Sequence, residues 1–302
     1  MKTAVHIRKE VLRALETGRP IVALESAFIA QGMPYPDGVT CALELCKIIR
    51  ECSAEPAVIG VLEGAVRVGL NQAQIDYIGS SDDVRKVSRR DLAAMVATGQ
   101  PGATTVSASM FCAKSAGIDV LVTGGIGGVH RGAENSLDIS ADLAELARTE
   151  VVVVCAGAKA VLDAGRTLEV LETQGVPVIG FQTAEFPGFY SRGSGHMLEH
   201  RVQSVEEAAE VIKAHWDLGL GGGIVIANPI PENHALDRKE IESHIESLQD
   251  EADLCDIRGP DLTPFLLKQL TDRTKGRTLK ANFALLRHNA QVGAEIAAAL
   301  MA

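Results

Sequence analysis

The chain has 302 residues, 46% hydrophobic and 23% charged, with 29 Lys and Arg against 39 Asp and Glu for a formal net charge of −10. An acidic surface repels a phosphate backbone, and only 4% of residues are aromatic, so neither a nucleic-acid polymer nor base stacking by a single-strand binder is expected. Apolar stretches such as 151–155 and 224–227 fall far short of the ~20 residues that cross a bilayer, and the N-terminus carries no signal-type apolar region, so a cytoplasmic protein without a membrane partner is expected.

In chain order, hydrophobic periodicity predicts a buried strand at 21–23 and a hairpin over 58–70 that turns at Glu63-Gly64. Helices follow at 91–97 and 107–116, a strand at 120–123, a helix at 140–149 and a strand at 151–155. A helix at 159–174, a strand at 176–180, a helix at 205–218, a strand at 223–227 and a helix at 239–250 continue the alternation. Helices at 263–271 and 281–301 end the chain, the latter Ala/Leu-rich and suited to packing or subunit contact. The pattern is three-layer α/β/α with a mixed central sheet, read as a single domain over 1–302. Six cysteines, at 41, 46, 52, 112, 155 and 255, form no CxxC and no metal-type spacing, and are expected to be reduced.

Ligands of open α/β sheets bind beyond the carboxyl ends of strands, so polar residues just after predicted strands carry the interest. Glu25 follows the strand at 21–23 and is either a partly buried acid/base or, as this segment alone favours, a solvated strand-end residue. Lys159 follows Cys155-Ala156-Gly157-Ala158 at the expected start of a helix, where the dipole disfavours a cation and frees an amine to attack carbonyl carbon. Its ordinary alternative is a solvent-facing lysine in a first helical turn.

Thr123 to Gly132 reads TGGIGGVHRG, a loop that matches neither a Walker loop nor a dinucleotide fingerprint, yet ends in His130 and Arg131. His130, Glu134, Asp138 and Asp142 recur every four residues, a spacing that suits Mg²⁺ or Mn²⁺ or, more simply, N-capping by Asp138 or Ser140. Two basic segments, 85–91 and Lys280-Ala281-Asn282, supply the local cations a sugar phosphate needs, although such runs are more often solvated helix faces.

Taken together, ALES (23–26) with GMPYP (32–36), KVSRRDL (86–92), GATTV (102–106), TGGIGGVHRGAE (123–134), DISADL (138–143), VVCAGAK (153–159), ANPIPE (227–232), TPFLL (263–267) and KAN (280–282) resemble the pseudouridine-5′-phosphate glycosidase family, which includes indigoidine-cluster homologues. The resemblance spans most of the chain in order. It implies an α/β/α trimer that uses one divalent metal, typically Mn²⁺, and a lyase-type activity that reversibly splits the C–C glycosidic bond of pseudouridine 5′-phosphate into uracil and ribose 5-phosphate. Motif by motif, it implies Lys159 as covalent nucleophile forming a Schiff base, Glu25 as proton donor and Asp138 as metal ligand. Lys86, Val106, His130, Ser140, Ala141, Asp142 and Asn282 are implied at the substrate.

A C–C bond offers no heteroatom leaving group, so two-carboxylate hydrolysis is a poor route and an amine nucleophile is the chemical remedy. One stretch departs from the family. After ALES the common pattern is Thr-Ile-Ile-Ser/Thr-His-Gly, whereas this chain has Ala27, Phe28, Ile29, Ala30, Gln31 and Gly32. The change touches the base-binding side, so a C-nucleoside synthase that joins ribose 5-phosphate to a different uracil-like heterocycle is the alternative. A sugar-phosphate aldolase using the same lysine, and a sensor that binds without turnover, are the competing classes.

Overall fold

The computed structural model describes residues 4–257, 259 and 262–302. The strands are β1 (Val5–Ile7), β2 (Ile21–Leu24), β3 (Glu55–Leu62), β4 (Ala65–Val68), β5 (Arg85–Val87), β6 (Gly102–Thr104), β7 (Val120–Val122), β8 (Val129–His130), β9 (Val152–Cys155), β10 (Leu162–Asp163), β11 (Val178–Phe181), β12 (His200–Val202) and β13 (Ile224–Ala227). The helices are α1 (Lys9–Glu16), α2 (Asp37–Glu51), α3 (Gln72–Ser80), α4 (Leu92–Thr98), α5 (Val106–Ser115), α6 (Ala133–Ser136), α7 (Ala141–Leu146), α8 (Ala164–Thr173), α9 (Val205–Asp217), α10 (Arg238–Leu254), α11 (Leu262–Arg273) and α12 (Arg277–Met301).

The main sheet runs β1-β4-β3-β2-β7-β9-β13-β11-β12, with β6 also paired to β3 and carrying β5. Pairing is parallel except for β3 with β4 and β3 with β6, so the sheet is mixed, as expected. Every residue of β2, β3, β7, β9 and β13 is buried, which requires cover on both faces and explains why Val, Ile and Leu dominate them. Helix α12 lies across β2, β7 and β9 beside α2 and α9, while α5 packs on β2, β3 and β7 and carries α7. The expected hairpin is β3–β4, closed by Glu63-Gly64 between the paired Leu62 and Ala65.

Neighbouring parallel strands release their following loops at one edge. Strands β2, β7 and β9 are adjacent, so Glu25, Thr123 and the loop that carries Lys159 emerge side by side.

The expected helix at 159–174 begins only at Ala164, where the Asp163 carboxylate accepts from the Arg166 N–H at 2.9 Å as its cap. Residues 160–163 have the apolar spacing of a helix, but Leu162 and Asp163 pair with His130 and Val129 instead. Lys159 therefore lies in a loop, and the helix dipole does not act on it. Helices α1 to α3 add to the expected set, α2 burying Val39, Ala42, Leu45, Cys46 and Ile49 along one stripe. All six cysteines are free. Among the described residues no helix is long and apolar enough to cross a membrane.

Helix α12 reaches the sheet because Gly293 has no side chain: a Cβ there would run into Cγ2 of Val122. Val122 is a β-branched residue on a buried strand and has no spare rotamer. Gly293→Ala is expected to destabilise the fold by about 1–3 kcal/mol through overpacking, outweighing the roughly 1 kcal/mol gained in helix propensity. Thermal denaturation checks this, and an unchanged or raised midpoint contradicts it.

Candidate active site

Two strand-end loops zip together and set the position of the lysine. The Ala156 N–H donates to the Gly124 carbonyl at 2.9 Å, the Ile126 N–H to the Gly157 carbonyl at 3.0 Å, and the Lys159 N–H to the Ile126 carbonyl at 3.0 Å. Gly157, at φ +86°, turns the chain where a Cβ would strike the Pro187 carbonyl oxygen. The β8–β10 pair then fastens His130 beside Leu162. Asp142 locks a third piece, its carboxylate oxygens accepting from the Ser107 N–H and the Gly127 N–H, each at 2.8 Å.

These loops border two connected compartments. The outer cleft, of about 700 Å³, is polar and carries Arg85, Lys86, Arg90, His130, Asp138 and Ser140 on its wall. The inner pocket, of about 50 Å³, places Glu25, Gln31 and Asn282 among Phe28, Phe189 and Leu267. Lys86, Lys159 and Thr263 border both compartments. A cationic, hydroxyl-bearing chamber opening into an apolar slot suits a ligand with an anionic sugar end and a flat neutral end.

Glu25 is 2% exposed. Its Oε1 accepts from the Thr123 hydroxyl at 2.8 Å, and its Oε2 is buried with no partner in the protein. Burial pushes its pKa up, against the opposing pull of Lys159 and the Thr123 hydrogen bond, so the carboxyl holds its proton beyond the ordinary carboxylate range. Lys86 loses water to the protein around it and faces Lys159, which together hold it below the usual lysine value. Burial likewise depresses His130, against the pull of Asp138, whose Oδ2 lies 3.9 Å from its Nε2.

Most residues singled out in the sequence meet here. Ser140, Ala141 and Asp142 line the outer cleft, and Asn282 the inner pocket. Ser140, not Asp138, caps α7, its Oγ accepting from the Asp142 N–H at 3.2 Å. Others are placed differently. The Val106 side chain is buried at the first turn of α5, and its neighbours Thr105 and Ser107 face the cleft instead. Arg89 turns away, bonded to buried Glu145 at 2.6 Å and stacked on Phe111. Glu134 pairs with Arg166, because 130–142 is a strand, a short helix, a loop and another helix rather than one helical face. Lys280 is exposed and lines neither compartment. Ala27 lines the inner pocket; Ala30 does not.

Phe189 is a site residue that the sequence did not flag, and Thr123 and Phe28 were named only within the loop 123–132 and the stretch 27–32, without roles of their own. For Phe28 the available signal was its place three residues after Glu25, in the single π-helical turn Phe28–Gly32. Among the described residues no group of three His, Cys, Asp or Glu side chains converges to hold a metal.

The site is thus that of an α/β protein with a lysine on the border of a polar cleft and an apolar pocket, and in that pocket a buried carboxyl whose pKa is raised. Over residues 10–299 the sequence matches the indigoidine synthase A-like protein family, and the chain belongs to it. A pseudouridine-5′-phosphate glycosidase of Caldanaerobacter subterraneus subsp. tengcongensis is 57% identical over 99% of this chain and 98% of its own. One of Alkaliphilus metalliredigens is 52% identical over 96% and 95%. The crystal structure of the prealnumycin C-glycosynthase AlnA in complex with ribulose 5-phosphate is 36% identical and superposes with a TM-score of 0.92 over 100% of this chain and 98% of that one. An indigoidine synthase A-like protein from Thermotoga maritima is also 36% identical, with a TM-score of 0.89 over 100% and 99%.

The state of Glu25 has a measurable consequence for stability. The unfolded chain releases this proton near 4.5, and the folded protein only at higher pH. Ionising Glu25 therefore costs nothing below about pH 4.5 and progressively more as pH rises through the folded value. Glu25→Gln is expected to melt with wild type near pH 4, to gain on it as pH rises from about 4.5 to the folded value, and to keep a constant lead beyond that. A gap that does not vary with pH contradicts this.

Proposed function

We propose that the chain reversibly cleaves the C–C glycosidic bond of pseudouridine 5′-phosphate, giving uracil and ribose 5-phosphate through a Schiff base on Lys159. The observation that carries this reading is the placement of Lys159 on the border of both compartments, with the half-partnered Glu25, its pKa raised by burial, in the inner one. The names of the relatives at 57% and 52% identity support the same substrate.

In this reading the phosphate and ribose occupy the outer cleft against Arg85, Lys86, Arg90 and Ser140, and the base enters the inner pocket. The Lys159 amine attacks C1′ and displaces the ring oxygen, which takes a proton. Glu25 then delivers its proton to C5 of the base. The electron pair of the C1′–C5 bond stays with the base carbon as the nitrogen lone pair forms a C=N bond. Water adds to that imine, releasing ribose 5-phosphate and regenerating the amine. A buried carboxyl is suited to the second step because an ordinary one would already have lost its proton near neutral pH.

Asp138 fits a hydrated divalent cation such as Mn²⁺: it is a hard oxygen donor on the cleft wall, its side chain is 33% exposed, and its Oδ2 lies 3.9 Å from Nε2 of His130. Such an ion would offset the negative charge of the sugar phosphate. The likeness to a C-glycosynthase, together with Ala27 and Gln31 in the inner pocket, supports a second reading with the same chemistry run toward bond formation on another heterocycle.

The test is uracil release from pseudouridine 5′-phosphate, followed by chromatography and mass spectrometry. Wild type should release uracil, Glu25→Gln should lose about 10²–10⁴-fold, and Lys159→Ala should fall to background. Turnover near wild type in Lys159→Ala contradicts the covalent route. Asp138→Ala should abolish any gain in rate on adding Mn²⁺ to chelator-treated protein; a gain equal to that of wild type contradicts its role.

A further inference from the structure

We propose that Gln31 reads a ring N–H of the nucleobase, with its Oε1 as the acceptor that selects the heterocycle; this rests on the reading of the site as one that joins a base to ribose 5-phosphate. Gln31 stands in the Phe28–Gly32 turn that follows Glu25, and it lines the inner pocket. Its Nε2 donates to the Val84 carbonyl at 3.2 Å. A carbonyl can only accept, so the amide nitrogen must face Val84 and the orientation of the amide is determined. Oε1 then points the other way, buried, and has no donor among the described residues.

A buried carbonyl without a donor is costly, and native proteins rarely leave one unless something else completes it. Among the described residues, one other fully buried polar atom of that pocket lacks a partner, Oε2 of Glu25. The two are complementary in kind. Glu25 in its acid form, which burial favours, presents a hydrogen; Gln31 presents a lone pair; Phe28, Phe189 and Leu267 supply apolar walls. A flat ring with a carbon that accepts a proton and a ring N–H satisfies both, and uracil has two such N–H groups, neither on the carbon that is bonded to the sugar. A ring that offers a bare nitrogen at that point sets two lone pairs against each other and is rejected. An amide does not titrate, so this recognition holds constant across the pH range in which a histidine at this position would change charge.

The experiment follows bond formation from uracil and ribose 5-phosphate in wild type and in Gln31→Met, which keeps the bulk of the side chain and removes the acceptor. In the variant, KM for uracil should rise roughly 10- to 100-fold. KM for ribose 5-phosphate, and the yield of borohydride-trapped sugar adduct on Lys159, should stay at wild-type levels. Wild type should also reject either 1-methyluracil or 3-methyluracil by a comparable factor, an arm that needs no variant to fold. An unchanged uracil KM in Gln31→Met overturns the proposal, as does wild type that accepts both methylated bases as readily as uracil. Either result alongside a trapped adduct removes only the role of Gln31, whereas wild type that traps no adduct removes the underlying reading and this proposal with it.

Discussion

Three backbone hydrogen bonds between the loop after β7 and the loop after β9 decide where the lysine goes. They bind Gly124 to Ala156, Ile126 to Gly157 and Ile126 to Lys159, and each is possible only because β7 and β9 are adjacent, parallel and in register. With the backbone of Lys159 pinned in this way, Lys159 lines the same pocket as the carboxyl that follows β2, itself held by a hydroxyl that follows β7. The site is therefore a property of strand order. Pairing of Leu162 and Asp163 with β8 keeps the helix out of the loop that carries Lys159.

A second constraint is the separation of polarity along one cavity. The protein is acidic as a whole, yet the outer cleft gathers Arg85, Lys86 and Arg90 on one short edge strand and the turn that follows it. Concentrating cations locally attracts an anionic ligand without making the whole surface basic. The inner pocket does the reverse. Its apolar walls strip water from Glu25, and the same desolvation that makes the carboxyl expensive to ionise gives it a proton to donate.

The sheet was legible in the sequence because fully buried strands are written as unbroken β-branched runs, and 151–155 and 223–227 could be little else. Helix α2 was harder to see, since its buried stripe includes Ala42, Cys41 and Cys46 among larger residues and contrasts weakly with the exposed face. Lys159 was found by its position after a strand, although the helix invoked to activate it starts five residues later. Glu25 alone read as a solvated strand end. Its burial depends on Phe28, three residues on, and also on Phe189 and α12, which lie too far away in sequence to announce it. Arg89 failed for a related reason: which member of a basic run faces a cleft and which meets a buried Glu145 is decided by tertiary packing.

A crystal structure of the protein with ribose 5-phosphate bound tests the account most directly. The account predicts continuous density between Nζ of Lys159 and C1 of an opened pentose, with the phosphate among Arg85, Lys86 and Ser140 and the inner pocket left free for a base. A closed sugar lying in the outer cleft with no bond to Lys159, or Nζ of Lys159 directed away from both compartments, would contradict it.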